Sequence, residues 1–165
     1  MNPSADRTVW IRDQITDEVA NTAIAQLLFH QMQDRKAPVR LMIDSHGGSV
    51  TASLAIVDTI KFLTNPVHTV CRGQAAGMAL FILGSGTKGF RSAGSDAHFQ
   101  FTRIVFREIT AETVHFVEKL RRRLVDSLAA ESGQAAPTVA RYMEDETVFS
   151  AAGLLAFGLI DRIDT

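Results

Sequence analysis

Two short stretches of the 165-residue chain hold the residue types from which a hydrolytic site is built. In Val67–Met78 (VHTVCRGQAAGM) an apolar strand over Val67–Cys71 leads through a turn at Gly73 into a helix from about Ala75 to Leu83. Strand, sharp turn and helix in that order expose whatever stands at the turn and aim helix N-terminal N–H groups at an anion. The residue at the point of the turn is Gly77, which brings no reacting atom. The second stretch, Asp44-Ser45-His46-Gly47-Gly48, is a tight polar loop that also follows an apolar strand. Ser45, Ser49, Ser53 and Ser85 lie near the two loops, but none has a base paired with it, and capping and turn formation account for serine there. Five histidines are scattered and no carboxylates group with them, so the loops show no metal-ligand spacing; no metal and no cofactor are expected.

The frame around these stretches is that of a single domain. A hydrophobic content of 46% and a charged content of 21% are ordinary for a globular chain with its own core. A net charge of −1 points to no nucleic acid and no membrane surface as partner. The start MNPSADR has no apolar run behind a basic end, and no run approaches a bilayer span. One cysteine, Cys71, sits in an apolar strand and reads as a buried structural thiol. A cytoplasmic protein is expected.

In chain order, residues 1–6 are a polar tail expected to be disordered, and a strand follows at Thr8–Ile11. Thr16 caps a helix that keeps Val19, Ala20, Ala23, Ile24, Leu27 and Leu28 on one face to about Gln33. Strand Val39–Ile43, a helix over about Val50–Leu63 and strand Val67–Cys71 come next. A strand is expected in His98–Phe106, where Phe99 and Phe101 alternate with Gln100 and Thr102. A long amphipathic helix spans about 110–132, with two short helices and a last strand over Leu159–Ile163 beyond it. Alternating strands and helices imply a parallel sheet, with both glycine loops at the carboxyl ends of its strands.

At those loops the sequence resembles the proteolytic subunits of the Clp protease, the ClpP family. Leu41–Ala52 is similar to the family's Asn-Ser-Pro-Gly-Gly-Ser loop and the helix after it, and Gly73-Gln74-Ala75-Ala76-Gly77-Met78 to Gly-Gln-Ala-Ala-Ser-Met. Lys88-Gly89 with Arg91, Ser132-Gly133-Gln134, and Ser150-Ala151 with Gly158-Leu159-Ile160-Asp161 extend the likeness over nearly the whole chain from Arg7. It implies an α/β fold of the ClpP/crotonase type: repeated β-β-α units, a central mostly parallel sheet flanked by helices, and a protruding handle helix at about 110–132.

The same resemblance implies where a serine–histidine–aspartate triad would stand. The nucleophile position is Gly77. Counting without gaps from Lys88-Gly89-Phe90-Arg91 puts the base at Thr102, and counting back from Ser150-Ala151 puts the orienting acid at Tyr142. All three are substituted. The implied oxyanion donors are the backbone N–H groups of Gly48 and Met78, which need no side chain. His46, beside Gly48 where the family has proline, is the candidate for a relocated base, against the plainer reading of a surface loop histidine. Thr102 as a displaced nucleophile is set against a strand residue that hydrogen-bonds across the sheet, and Lys88 in a serine–lysine dyad against a structural lysine.

The expected function is a catalytically silent ClpP-like subunit, structural or regulatory, in a ring-like assembly with itself or with active ClpP-type subunits. The alternatives are an acyl- or thioester-processing enzyme that uses His46, and an active Clp peptidase with a different triad. Only Met1–Asp6 precede Arg7, so axial gating and docking of an ATPase ring by this chain are not expected. Arg103–Glu108 lacks the family's glycine-rich segment, which implies altered ring stacking, and Phe106, Phe116 and Phe149 are candidates for a changed interface.

Overall fold

The computed structural model describes residues 6–105, 110 and 112–165. The order is β1 (Thr8–Ile15), α1 (Asp17–Gln33), β2 (Val39–Gly48), α2 (Val50–Phe62), β3 (Val67–Ala76), α3 (Met78–Gly84), β4 (Ser92–Gly94), β5 (His98–Gln100), α4 (Val114–Ser132), α5 (Ala136–Glu144), β6 (Val148–Phe149), α6 (Ala151–Phe157) and β7 (Arg162–Asp164). The strands β1-β2-β3-β4-β7 lie side by side, all parallel, while β5 pairs with the far end of β3 and with an antiparallel β6. This is the mostly parallel α/β architecture that the resemblance implies.

Alternation along the strands decides which face is core. Val9 and Ile11, then Val39, Leu41 and Ile43, then Val67 and Cys71 are fully buried, together with Leu80, Ile82 and Leu83 of α3. The Thr16 hydroxyl accepts from the Val19 N–H at 3.2 Å and opens α1 as a side-chain cap should. Ala20, Ala23 and Leu27 of α1 are buried, but Leu28 is not: it faces outward with Phe29 and Met32. In α4 the stripe Val117, Leu120, Leu124 and Leu128 is buried as its spacing predicts. That helix starts at Val114 rather than 110, because Thr110 and Thr113 hydrogen-bond reciprocally and hold a turn before it. Residues 1–5, most of the expected tail, and Phe106 lie outside the described residues. Phe116 is exposed, whereas Phe149 is packed among aromatic rings.

The largest departure from the sequence reading is at β2 and β3. Both run on through segments expected to be loops. β3 passes Gly73 with a bulge: the register with β2 jumps from Ile43↔Cys71 to Ser45↔Ala75, inserting two extra residues on β3. At this point β3 exchanges neighbours, pairing with β4 at Val70–Cys71 and with β5 at Gln74–Ala76. The Asp44 carboxylate accepts from the Gln74 N–H at 3.1 Å and pins the bulge. The expected turn at Gly73 is therefore a strand irregularity, and the turn into the helix is Gly77 alone.

One buried ion pair joins the C-terminal ends of three helices. Arg91 is 1% exposed. Its guanidinium donates to both carboxylate oxygens of Asp161 (2.9 and 2.7 Å) and to the carbonyls of Glu131 (2.9 Å), Gly158 (2.9 Å) and Gly84 (3.4 Å). Asp161 also accepts from the N–H groups of Gly89 (2.8 Å) and Arg91 (3.0 Å). Burial alone would raise the Asp161 pKa, but the hydrogen bonds and charge of Arg91 outweigh it and hold the carboxyl below 3.8. Replacing Arg91 with methionine leaves a part-buried carboxylate with only backbone N–H partners and strips the helix-end carbonyls of their donor, and chemical denaturation is expected to show a loss of about 3 kcal/mol. The depressed pKa stabilises the fold fully above 3.8, and this contribution is lost as pH falls through the lower, folded-state value. An Asp161→Asn variant should accordingly show a shallower fall in Tm over the acid range below pH 3.8 than the parent.

Candidate active site

The elbow is built at the end of β3. Gly77 has φ 52° and ψ −123°, a backbone region that L side chains rarely adopt. Its N–H donates to the Gln100 carbonyl at 3.0 Å, so β5 holds the turn in place. Met78 begins α3, and its N–H is among those without an intrahelical acceptor. The end of β2 comes close: a Cβ on Gly47 would stand 2.8 Å from the Ala76 carbonyl oxygen and 3.1 Å from the Met78 nitrogen. Only glycine allows β2 to press against the elbow in this way, which brings Gly48 and Met78 to one cleft.

That cleft has a volume of about 230 Å³ and is lined by His46, Gly48, Gly77, Met78 and Thr102 with apolar walls from Val50, Phe81 and Ile104. A Cβ on Gly77 would lie 2.8 Å from the Thr102 Oγ1, which therefore fills the space where a side chain at the elbow would begin. Two of the three positions counted from the sequence thus meet. The third does not line the cleft. Tyr142, on α5, packs edge-on against Phe149 and Phe157 with ring centroids 5.5 Å from each, and lies 6.3 Å from Phe101. Phe101 alternates with Thr102 along the chain, so this aromatic cluster sits behind the residue that faces the cleft.

The remaining candidates resolve by their hydrogen bonds. The Ser45 hydroxyl donates to the Asp13 carbonyl and accepts from the Gly47 N–H; Ser49 caps α2; Ser53 donates to the Ser49 carbonyl and Ser85 to the Ile82 carbonyl. Each serine serves backbone geometry. His46 is exposed at the mouth of the cleft, while His98 and Lys88 are exposed and do not line it. Cys71 is fully buried, and burial together with the nearby Asp44 charge pushes its thiol up to about 12. Among the described residues no group of three or more His, Cys, Asp or Glu side chains could hold a metal ion.

Two charged residues at this site escaped the sequence reading. Arg103 follows Thr102 and lines the cleft. Its guanidinium lies 3.5 Å from the carboxylate of Glu146, which also accepts from the Arg103 N–H at 3.4 Å. Glu146 is held at φ 50° in the turn after α5. The signal was the acidic run Glu144-Asp145-Glu146 just before Val148-Phe149-Ser150, which counting toward a single triad position passed over. The cleft therefore offers backbone N–H groups, the Thr102 hydroxyl, an imidazole and a guanidinium, with no side chain at the elbow itself.

A model of the Clp protease family matches residues 4–165. The chain is 34% identical over 165 residues to ATP-dependent Clp protease proteolytic subunit 3 of Synechococcus sp. (strain CC9902), covering 96% of this chain and 82% of that one. It is 36% identical over 166 residues to ATP-dependent Clp protease proteolytic subunit 2 of Chlamydia pneumoniae, covering 97% and 81%. The chain belongs to the Clp protease family. No helix among the described residues is long and apolar enough to cross a membrane.

Because Gly77 and Thr102 share one space, they should be energetically coupled. Gly77→Ala is expected to destabilise the fold by about 1–3 kcal/mol from the disfavoured backbone region and the contact with Thr102. The cost should fall by at least about 0.5 kcal/mol in a Thr102→Ala background, measured as a double-mutant cycle by denaturant unfolding.

Proposed function

We propose that this chain is a Clp-family subunit without peptidase chemistry that acts as a structural or regulatory member of an oligomeric assembly. The observation that carries the first half is the elbow: Gly77 has no hydroxyl, and Thr102 occupies the space that a nucleophilic side chain would enter. Acyl transfer by a serine peptidase needs a hydroxyl, a base that takes its proton and donors for the oxyanion. Only candidates for the last remain at the elbow, in the N–H groups of Gly48 and Met78. The position counted for the orienting acid is a tyrosine inside an aromatic cluster and does not line the cleft.

The assembly half rests on an uncovered surface. The buried residues of β1, β2 and β3 alternate with Trp10, Arg12, Arg40 and Arg72, which are exposed. Parallel sheets are ordinarily buried on both faces. A parallel sheet with helices on one face and open residues on the other supports a partner that supplies the second cover.

The test is direct. The purified chain should neither label with a fluorophosphonate probe nor cleave a fluorogenic peptide. Labelling that disappears on Thr102→Ala or on one serine substitution would overturn the silent-subunit reading and favour an enzyme with a relocated nucleophile.

A further inference from the structure

A groove opens where α5 folds back on α4 after the left-handed turn at Gly133. Leu124 and Leu128 of α4 and Val139 of α5 are turned inward and buried. Farther out, α5 presents Ala136 and Ala140, one turn apart, and side chains this short leave the space between the two helices open. The result is a groove of about 460 Å³, twice the 230 Å³ of the cleft. Val125, Pro137 and Ala140 form apolar walls, and Met143 and Ile104, 7% and 9% exposed, lie deepest. Small-molecule sites have this size and this largely apolar lining, with a few polar groups that orient the occupant. At the ~30 Å³ that one water takes up in the liquid, the space holds roughly fifteen non-hydrogen atoms.

The polar groups of the groove decide what kind of molecule fits. Arg103, Arg121 and Arg122 line it as cations, Asp126 and Glu144 as anions. Glu146, 3.5 Å from the Arg103 guanidinium, brings a third carboxylate. Guanidinium groups and carboxylates therefore balance, and the rim carries no net charge. A carboxylate or an ammonium ligand would give up its hydration here for no net attraction. An amide accepts from a guanidinium, donates to a carboxylate and carries no charge of its own. Both kinds of partner are open to it: among the described residues Arg121, Arg122, Asp126 and Glu144 enter no ion pair. Arg121 is already aimed inward, because its guanidinium donates to the Ile104 carbonyl at 3.0 Å and keeps further N–H groups for an occupant. Arg103 and Ile104 also line the cleft, so the two spaces share a wall.

We propose that the groove between α4 and α5 is a binding site for a small apolar amide, a hydrocarbon body carrying one uncharged amide group. The probe is octanamide, titrated into the isotope-labelled full chain and followed by the backbone amide signals in NMR, with octanoate and octylamine as charged counterparts of the same body. Octanamide is expected to bind with a Kd below about 1 mM, and each charged counterpart at least about tenfold more weakly. The shifts should centre on Ile104, Val125 and Ala140. Ala140→Trp fills the groove from an exposed position on α5 and should abolish them. Arg121→Met/Arg122→Met keeps the apolar stems and removes the donors, and should weaken binding at least about threefold. Circular dichroism checks the fold of each variant, and where one is perturbed the other decides. The proposal is overturned by an absence of octanamide shifts, by octanoate or octylamine binding as tightly as octanamide, or by octanamide binding that both variants leave unchanged. Shifts centred on Gly48, Gly77 and Met78 would assign the probe to the cleft and overturn it equally.

Discussion

The structure depends on one guanidinium that has nowhere else to go. Arg91 lies under the C-terminal ends of α3, α4 and α6 and donates to a carbonyl near each, while Asp161 balances its charge. Helix C-termini carry unsatisfied carbonyls and partial negative charge, so three of them meeting in an apolar interior would be costly without a cation. A buried charge of this kind is tolerated only when paired and fully hydrogen-bonded. Its consequence reaches the cleft. Fixing the end of α3 at Gly84 fixes the short helix whose other end is the elbow. The handle helix α4 is anchored to the same point through Glu131.

The cleft lies where the ends of β2 and β3 meet Thr102. Its shape is made by backbone: the bulge at Gly73, the close approach of Gly47 to the elbow and the N–H of Gly77 bound to Gln100. None of these contacts needs a nucleophile, a base or an acid. The side chains around them fit one another. Thr102 fills the space beside Gly77, and Tyr142 packs with Phe101, Phe149 and Phe157. A tyrosine there adds edge-on aromatic packing where a carboxylate would need a polar partner. The geometry at these positions is that of a packed region with a residual cleft.

Much of this was legible in the sequence because it rests on local patterns. The cap at Thr16, the apolar stripe of α4 and the alternation at Phe99 and Phe101 each depend on neighbours a few residues away. The meeting of Gly77 with Thr102 was legible through a resemblance, since no local rule links residues 25 positions apart. Three things were hidden. The extension of β2 and β3 through glycine loops depends on pairing with β1 and β5, a tertiary fact that overrides turn propensity. The Arg103–Glu146 contact joins two loops through a residue held at positive φ. The outward placement of Leu28 followed from an apolar stripe one residue too wide, because periodicity shows which residues share a face but not where the partner helix stops covering it.

The outer face of the sheet and the cleft are built by different side chains. The cleft and the sheet face lie on separate parts of the fold: the elbow is held from β5 and α3, whereas the face belongs to the outer residues of β1, β2 and β3. Substitutions at Gly77, Thr102 and Tyr142 therefore leave the outer residues of β1, β2 and β3 untouched.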